Sequence, residues 1–136
     1  MLTDVEGFEI RALRGALRAI GLSGVGAILI EIASYRWIYN NITIIEGISL
    51  LEHVTSLGHY SAYIIARNDF ACPRINVSNI DGMIEVKTLT LMNMSDGQLQ
   101  FASEIYQFLT WKNIITSMLD YQWGCDFWLE SFVNRN

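Results

Sequence analysis

The stretch that decides the fold is DVEGFE at residues 4–9, followed by IRALRGAL at residues 10–17. Asp4 and Glu6 are two residues apart, so on an extended strand both carboxylates point to the same side. Gly7 then allows a sharp turn, because glycine adopts backbone angles that other residues avoid. The stretch predicts a strand that ends in acids, a glycine turn and a helix.

The predicted helix runs from about Phe8 to Ile20 and stops at Gly21, a residue type that commonly follows the last helical turn. Its apolar residues recur at spacings of three and four, which is the period of one helix face. Its arginines keep the same rhythm on the opposite face, which favours a solvated surface over a site for an anionic ligand. The apolar stripe is Ile10, Leu13, Leu17 and Ile20, and the basic stripe is Arg11, Arg14 and Arg18.

A second strand is predicted at residues 27–32, AILIEI, which form an apolar run without clean alternation. Such runs are typical of parallel strands that are buried on both faces. Glu31 is the exception, because a carboxylate in this position must be paired or reach water. We expect it at the carboxyl edge of the sheet, near Asp4 and Glu6, where ligands of open α/β sheets bind. A structural glutamate that bonds backbone amides is the alternative.

The next elements continue the alternation of strand and helix. Residues 34–47 predict a long loop, whose aromatic side chains would either grip a substrate or pack on the core. Ser49 is a candidate cap for a helix that ends at Gly58, and residues 60–67 predict a third strand. The order strand, helix, strand, helix, strand predicts a right-handed parallel α/β sheet.

The pattern changes after Asn68. Residues 69–82 hold the only proline and predict a loop, and residues 84–91 alternate as a strand does. Residues 98–119 show a loose helical rhythm, and residues 121–133 form an aromatic tail. We expect this tail to dock on the sheet, with a protein partner or a membrane surface as the alternatives.

The composition indicates a folded domain and excludes several classes of protein. The chain has 136 residues, of which 51% are hydrophobic and 17% charged, so intrinsic disorder is excluded. The net charge of −5 disfavours nucleic acid as a partner, because phosphate binding needs clustered Lys and Arg. The longest apolar run is too short to span a membrane. Cys72 and Cys125 lack metal-ligand spacing, so we predict two reduced, buried thiols and no metal site.

Two parts of the sequence resemble the FkbM-type methyltransferases, which use S-adenosylmethionine. Residues 4–9 together with Leu13-Arg14-Gly15-Ala16 are similar to the hallmark segment of the family. Residues 28–32 and 35–37 resemble its next landmark, a strand that carries a glutamate and is followed by an Arg-Trp pair. The resemblance covers residues 1–67. It implies a partial doubly wound, Rossmann-like methyltransferase sheet that lacks its first strands and has a late antiparallel strand near residues 84–91.

The resemblance also implies roles for individual residues. Asp4 and Glu6 would be catalytic, with one of them orienting or deprotonating the acceptor. Asp4 and Gly7 would contact the cofactor, S-adenosylmethionine. The substrate-binding residues would be Glu31, Arg36 and Trp37. The implied reaction is methyl transfer to a hydroxyl group of a small molecule or glycan.

The glycine-rich cofactor loop of the family lies upstream of the acidic motif and has no counterpart in this sequence. We therefore expect a fragment, in which residues 1–95 are the second half of a methyltransferase-like α/β domain and residues 96–136 are a helical extension packed on it. The chain alone is expected to be inactive and to self-associate through an exposed N-terminal strand edge. The alternatives are a non-catalytic interaction module and an unrelated α/β protein.

Overall fold

A computed structural model describes residues 2–3, 9–22, 25–67, 84–90, 102–119 and 124–132. These residues form a six-stranded sheet with three α-helices and one 3-10 helix. In chain order the elements are β1 (Leu2–Thr3), α1 (Glu9–Gly21), β2 (Ala27–Ile32), the 3-10 helix (Ser34–Asn40), α2 (Ile44–Leu57), β3 (Tyr60–Arg67), β4 (Ile84–Thr90), β5 (Ala102–Phe108), α3 (Trp111–Met118) and β6 (Cys125–Ser131). The predicted α/β class is confirmed.

The sheet is mixed, with the strand order β1-β2-β6-β3-β5-β4. β1 and β2 pair in parallel. β2 and β3 both pair antiparallel with β6, so these two strands run in the same direction although they are not neighbours. The first three strands therefore share one direction, as predicted. The expectation that the early strands form a continuous parallel sheet is wrong, because the last strand in the chain lies between β2 and β3 with the opposite direction.

The carboxyl-terminal part differs most from the prediction. The helix expected over residues 98–119 is replaced by strand β5 and the short helix α3. The aromatic tail is not a helical extension packed on the sheet, because β6 is one of its central strands. Residues 96–136 thus supply two strands of the same sheet as residues 1–95. The strand predicted at 84–91 is present as β4, which pairs antiparallel with β5 at one edge.

Helix α2 begins earlier than predicted. Its cap is Thr43, whose hydroxyl accepts a hydrogen bond from the Glu46 backbone N–H at 3.1 Å. The Glu46 carboxylate accepts from the Thr43 backbone N–H at 2.9 Å, which completes a capping box. Ser49 therefore lies within the helix, and most of the predicted loop at residues 34–47 is helical. Gly58 follows the last helical residue, as predicted.

The core lies between β2 and the helices. Alternate residues of β2, Ile28, Ile30 and Ile32, are fully buried, and their neighbours in the strand are half-buried. This alternation corrects the expectation that both faces of β2 are buried. From α1, Ile10 and Leu13 belong to the same core, whereas the arginines of the predicted solvated stripe are exposed, as expected: Arg11, Arg14 and Arg18.

A second part of the core is an aromatic cluster, which comprises Phe108, Trp111 and Phe127. The Phe108 ring meets the rings of Trp111 and Phe127 edge to face, with centroids 4.7 Å and 5.8 Å apart. The centroids of Trp111 and Phe127 are 5.1 Å apart. These three residues join β5, α3 and β6, so the cluster fixes the late elements of the chain to the sheet.

Cys125 at the start of β6 is disulfide-bonded. The prediction of a reduced thiol is therefore wrong for this residue, and Cys72 lies outside the described residues. Among the described helices, none combines the length and the apolar character needed to cross a membrane.

Candidate functional site at the carboxyl end of β2

The main polar feature of the core is the carboxylate of Glu9, which is fully buried in the first turn of α1. Its Oε1 accepts a hydrogen bond from the Ala33 backbone N–H at 2.7 Å. The same oxygen accepts a second hydrogen bond from the indole N–H of Trp37 at 3.2 Å. We call this set of three residues the Glu9 junction. It joins the start of α1 to the carboxyl end of β2 and to the 3-10 helix.

Local features of the sequence place Glu9 in this position. An acidic side chain in the first turn of a helix is favoured by the positive end of the helix dipole. Ala33 follows the last residue of β2, and its N–H donates to the carboxylate. The junction therefore ties two elements that are more than twenty residues apart in the chain.

Trp37 is also fully buried, and its ring lies against α2 at Gly47. A Cβ atom added at Gly47 would overlap the six-membered ring of the indole. Glycine at this position is therefore what allows α2 to approach the tryptophan. The interpretation of Trp37 as a packing residue fits this position, because its side chain is fully buried.

Glu31 lies half-buried near the carboxyl end of β2. The parallel pairing of β1 and β2 sets Thr3 opposite Ile30, so the residue before Asp4 pairs with the residue before Glu31. On the other side, Glu31 is opposite Asp126 of β6. Two acids that face each other across a sheet oppose pairing unless their surroundings compensate. The carboxyl end of β2 is therefore an acidic position in the sheet.

Gly124 provides the room that the Glu31 side chain needs. A Cβ atom added at Gly124 would lie 2.5 Å from Glu31 Oε1 and 3.0 Å from its Cγ. The chain thus enters β6 directly against the carboxylate. A larger residue at this position would therefore force the Glu31 side chain or the backbone to move.

Arg36, the third predicted substrate-binding residue, is exposed on the 3-10 helix. Its Nε donates a hydrogen bond to the Tyr35 hydroxyl at 2.9 Å, and its guanidinium lies 5.4 Å from the centre of the same ring. The structure therefore separates the Arg-Trp pair, with the arginine at the surface and the tryptophan in the core. Asp4, Glu6 and Gly7 lie outside the described residues.

An open cleft of about 590 Å³ lies next to the end of β2. Its walls come from the 3-10 helix, from the turn that leads into α2 and from the end of α3. The described residues that line it are Ser34, Tyr35, Ile38, Asn41, Ile42, Thr43, Ile44 and Leu119. This volume is within the range of small-molecule sites in proteins.

Ser34 is the buried polar residue of this cleft, with 2% of its surface exposed. Its hydroxyl oxygen makes no hydrogen bond with any described residue. A buried hydroxyl without a partner is costly, so such a group often marks a place where a ligand or water binds. Within the described ranges, no three His, Cys, Asp or Glu side chains come together as a metal site would require.

Sequence reasoning missed Glu9, Ser34 and Thr43. Thr43 carried a readable signal, because Thr-x-x-Glu before an apolar run is the signature of a capping box. Glu9 was within the acidic motif, but nothing local distinguishes a buried first-turn glutamate from an exposed one. Ser34 gave no signal in the sequence, because the burial of its hydroxyl without a hydrogen-bond partner among the described residues depends on how three elements pack together.

The chain was compared with known proteins at the level of sequence and of structure. No protein-family model matches it, and no curated protein matches it. No solved structure matches it either.

Proposed function

We propose that this chain contributes the acceptor side of an S-adenosylmethionine-dependent methyltransferase of the FkbM type, with methyl transfer to a hydroxyl group. The observation that carries the proposal is the Glu9 junction. The two segments that resemble the family are separate in sequence, and the junction bonds one to the other through Glu9 and Trp37. Segments that belong to one functional unit are expected to make such a contact.

The position of the junction supports the proposal as well. It lies at the carboxyl end of β2, and ligands of open α/β sheets bind outside the carboxyl ends of the strands. Thr3 pairs with Ile30, which is the residue before Glu31. The acidic motif begins directly after Thr3. The late antiparallel strand that the resemblance implies near residues 84–91 corresponds in position to β4, which pairs antiparallel with β5.

The proposed chemistry is a direct displacement, in which the protein mainly aligns the reacting groups. S-adenosylmethionine supplies, when bound, a methyl group on a positively charged sulfur. The acceptor oxygen would take this methyl group as the bond between sulfur and methyl breaks and S-adenosylhomocysteine leaves, and the acceptor's proton would pass to a carboxylate of the protein. We assign that base to Asp4 or Glu6, and we assign to Glu31 the orientation of the acceptor.

The described residues fit such a cofactor only in part. Ser34 offers a hydroxyl, which suits an amino or hydroxyl group of a ligand. Gly26 lies after helix α1 and directly before strand β2. A phosphate- or nucleotide-binding glycine loop has the opposite order, strand and then helix. We therefore assign the cofactor-binding loop to none of the described residues.

The test begins with the 5′ end of the transcript that encodes the chain. Binding of S-adenosylhomocysteine to the longest encoded protein is then measured by calorimetry, together with methyl release from labelled cofactor. We expect binding, and we expect Asp4→Asn to lower activity at least about a hundredfold, within the usual range for a lost general base. Glu52→Gln on the exposed face of α2 is the matched control and should leave both unchanged.

Two outcomes would overturn the proposal. One is that the longest encoded protein fails to bind S-adenosylhomocysteine. The other is that Asp4→Asn and Glu52→Gln have equal activity, which would make the acidic turn dispensable. In either case the interaction-module alternative becomes the better interpretation.

A further inference from the structure

The cleft beside β2 has the properties of a binding site for a small, uncharged ligand. Among its described lining residues, none carries a charge, and most of the wall is apolar. We propose that it binds a largely apolar molecule with one hydroxyl group, and that Ser34 hydrogen-bonds this hydroxyl. Binding of such a ligand does not depend on the proposed reaction. The further inference that this ligand is the methyl acceptor rests on the proposed function.

The absence of charge among the described lining residues determines the class of ligand. An ionised group would lose water on entering the cleft and would find no opposite charge on these walls. An apolar ligand, in contrast, would gain by covering Ile38, which is 74% exposed, and Leu119, which is 40% exposed. The ligand is therefore expected to be neutral and to pack its apolar part against these two side chains.

The hydroxyl of Ser34 sets the polar requirement. A serine hydroxyl both donates and accepts, so it pairs with a ligand hydroxyl in either direction. Since Ser34 makes no side-chain hydrogen bond with described residues, the ligand would compete with none of them. The position of Ser34 directly after Ala33 places this contact next to the Glu9 junction.

The first experiment measures the fluorescence of N-phenylnaphthylamine, an uncharged apolar probe, on titration with the full chain. Decanol and decanoate are then compared as competitors, because they share a chain length and differ in charge. We expect the probe to bind and decanol to displace it at a concentration at least about tenfold lower than decanoate does. Absence of probe binding, or equal displacement by the two competitors, would overturn the proposal.

Two isoleucines of similar exposure provide a matched pair of variants. Ile38 lines the cleft and is 74% exposed, whereas Ile45 is 77% exposed and is absent from its lining. Both substitutions to glutamate are surface changes, so both variants should fold. Ile38→Glu should weaken probe binding at least about tenfold, since it puts a charge at the apolar wall. Ile45→Glu should bind as the wild type does, and an equal loss in both variants would place the probe elsewhere.

Ser34→Ala tests the hydrogen bond itself. Decanol affinity should fall about three- to tenfold, the usual value of one neutral hydrogen bond. Thermal stability should be unchanged or slightly higher, because the hydroxyl has no partner among the described residues. An unchanged decanol affinity would show that Ser34 takes no part. If decanol binds but the longest encoded protein does not methylate any hydroxyl, the proposed function fails and the binding site stands.

Discussion

The Glu9 junction and the aromatic cluster are both buried, but they hold the fold together by different means. The junction depends on two directional hydrogen bonds to one carboxylate oxygen. The aromatic cluster depends on ring contacts between Phe108, Trp111 and Phe127, which tolerate small shifts in position. The first joins early elements of the chain, and the second joins late ones.

This difference in bonding shows which of the two buried regions can be explained by its contribution to stability alone. Burying apolar rings is favourable in itself, so the aromatic cluster needs no further reason. Burying a carboxylate opposes folding, and its hydrogen bonds at best offset this cost. Departures from the rules of a stable core tend to occur at functional sites. The Glu9 junction is therefore where we expect function, and the aromatic cluster is where we expect most of the stability.

The largest effect should follow from breaking the aromatic cluster. Phe127 is fully buried, so Phe127→Ala removes ring contacts on two sides and leaves a cavity. We expect a loss of about 3–5 kcal/mol in the free energy of unfolding, measured by urea denaturation. Phe132→Ala is the control, because Phe132 is 69% exposed and should cost far less. Equal losses would mean that the aromatic cluster does not carry the stability.

A smaller loss should follow from crowding the Glu9 junction on its apolar side. Gly47→Ala places a methyl group where the Trp37 ring lies, so one of the two must move. We expect a loss of about 2–3 kcal/mol in the free energy of unfolding, which is typical of overpacking. In a Trp37→Leu background the same change should cost less, because the smaller side chain leaves room. An unchanged cost in that background would show that the clash is not with Trp37.

The early elements were predictable because their signals are local. The helix at residues 9–21 shows a clear period, and the strands at 27–32 and 60–67 are bounded by glycine and polar residues. The late strands were missed for two reasons. In β6, Cys125, Phe127 and Leu129 alternate with less buried residues, but large aromatic side chains occupy both faces of the strand, so the sequence shows no clear alternation of apolar and polar residues.

Strand β5 also lacks a clear strand period. Ile105 and Tyr106 are both buried, so burial does not alternate cleanly along the strand. The spacing of Phe101, Ile105 and Phe108 also matches a helix face. Only the pairing of β5 with β3 and β4 settles the structure, and such pairing is not encoded in the local pattern. The candidate site was likewise predictable only in part. The sequence indicated Glu31, but it did not indicate the hydrogen-bond partners of Glu9.

The polar side of the Glu9 junction can be tested with a double-mutant cycle. Trp37→Phe removes the N–H that donates to Glu9, and hydrogen bonds to charged groups are about twice as strong as neutral ones. We expect this change to cost about 2 kcal/mol in the wild type and about half as much in a Glu9→Gln background. Trp128→Phe is the control and should cost the same in both. Equal costs of Trp37→Phe in the two backgrounds would exclude a charged bond.

The smallest effect should come from the directional bond that borders the aromatic cluster. The indole N–H of Trp111 donates to Thr55 Oγ1 at 2.8 Å, and this hydroxyl donates to the Leu51 carbonyl at 2.7 Å. Thr55→Val keeps the shape of the side chain and removes both bonds, so we expect a loss of about 1 kcal/mol in the free energy of unfolding.

Thr116→Val is the matched control for this change, because the Thr116 residue is exposed and, among the described residues, its hydroxyl bonds carbonyls of its own helix. It has the same effect on helix propensity and should cost only a few tenths of a kcal/mol. If Thr55→Val instead cost as much as Phe127→Ala, the aromatic cluster would depend on a directional bond just as the Glu9 junction does. The contrast between a core region built for stability and one built for function would then fail, and Glu9 would need no functional explanation.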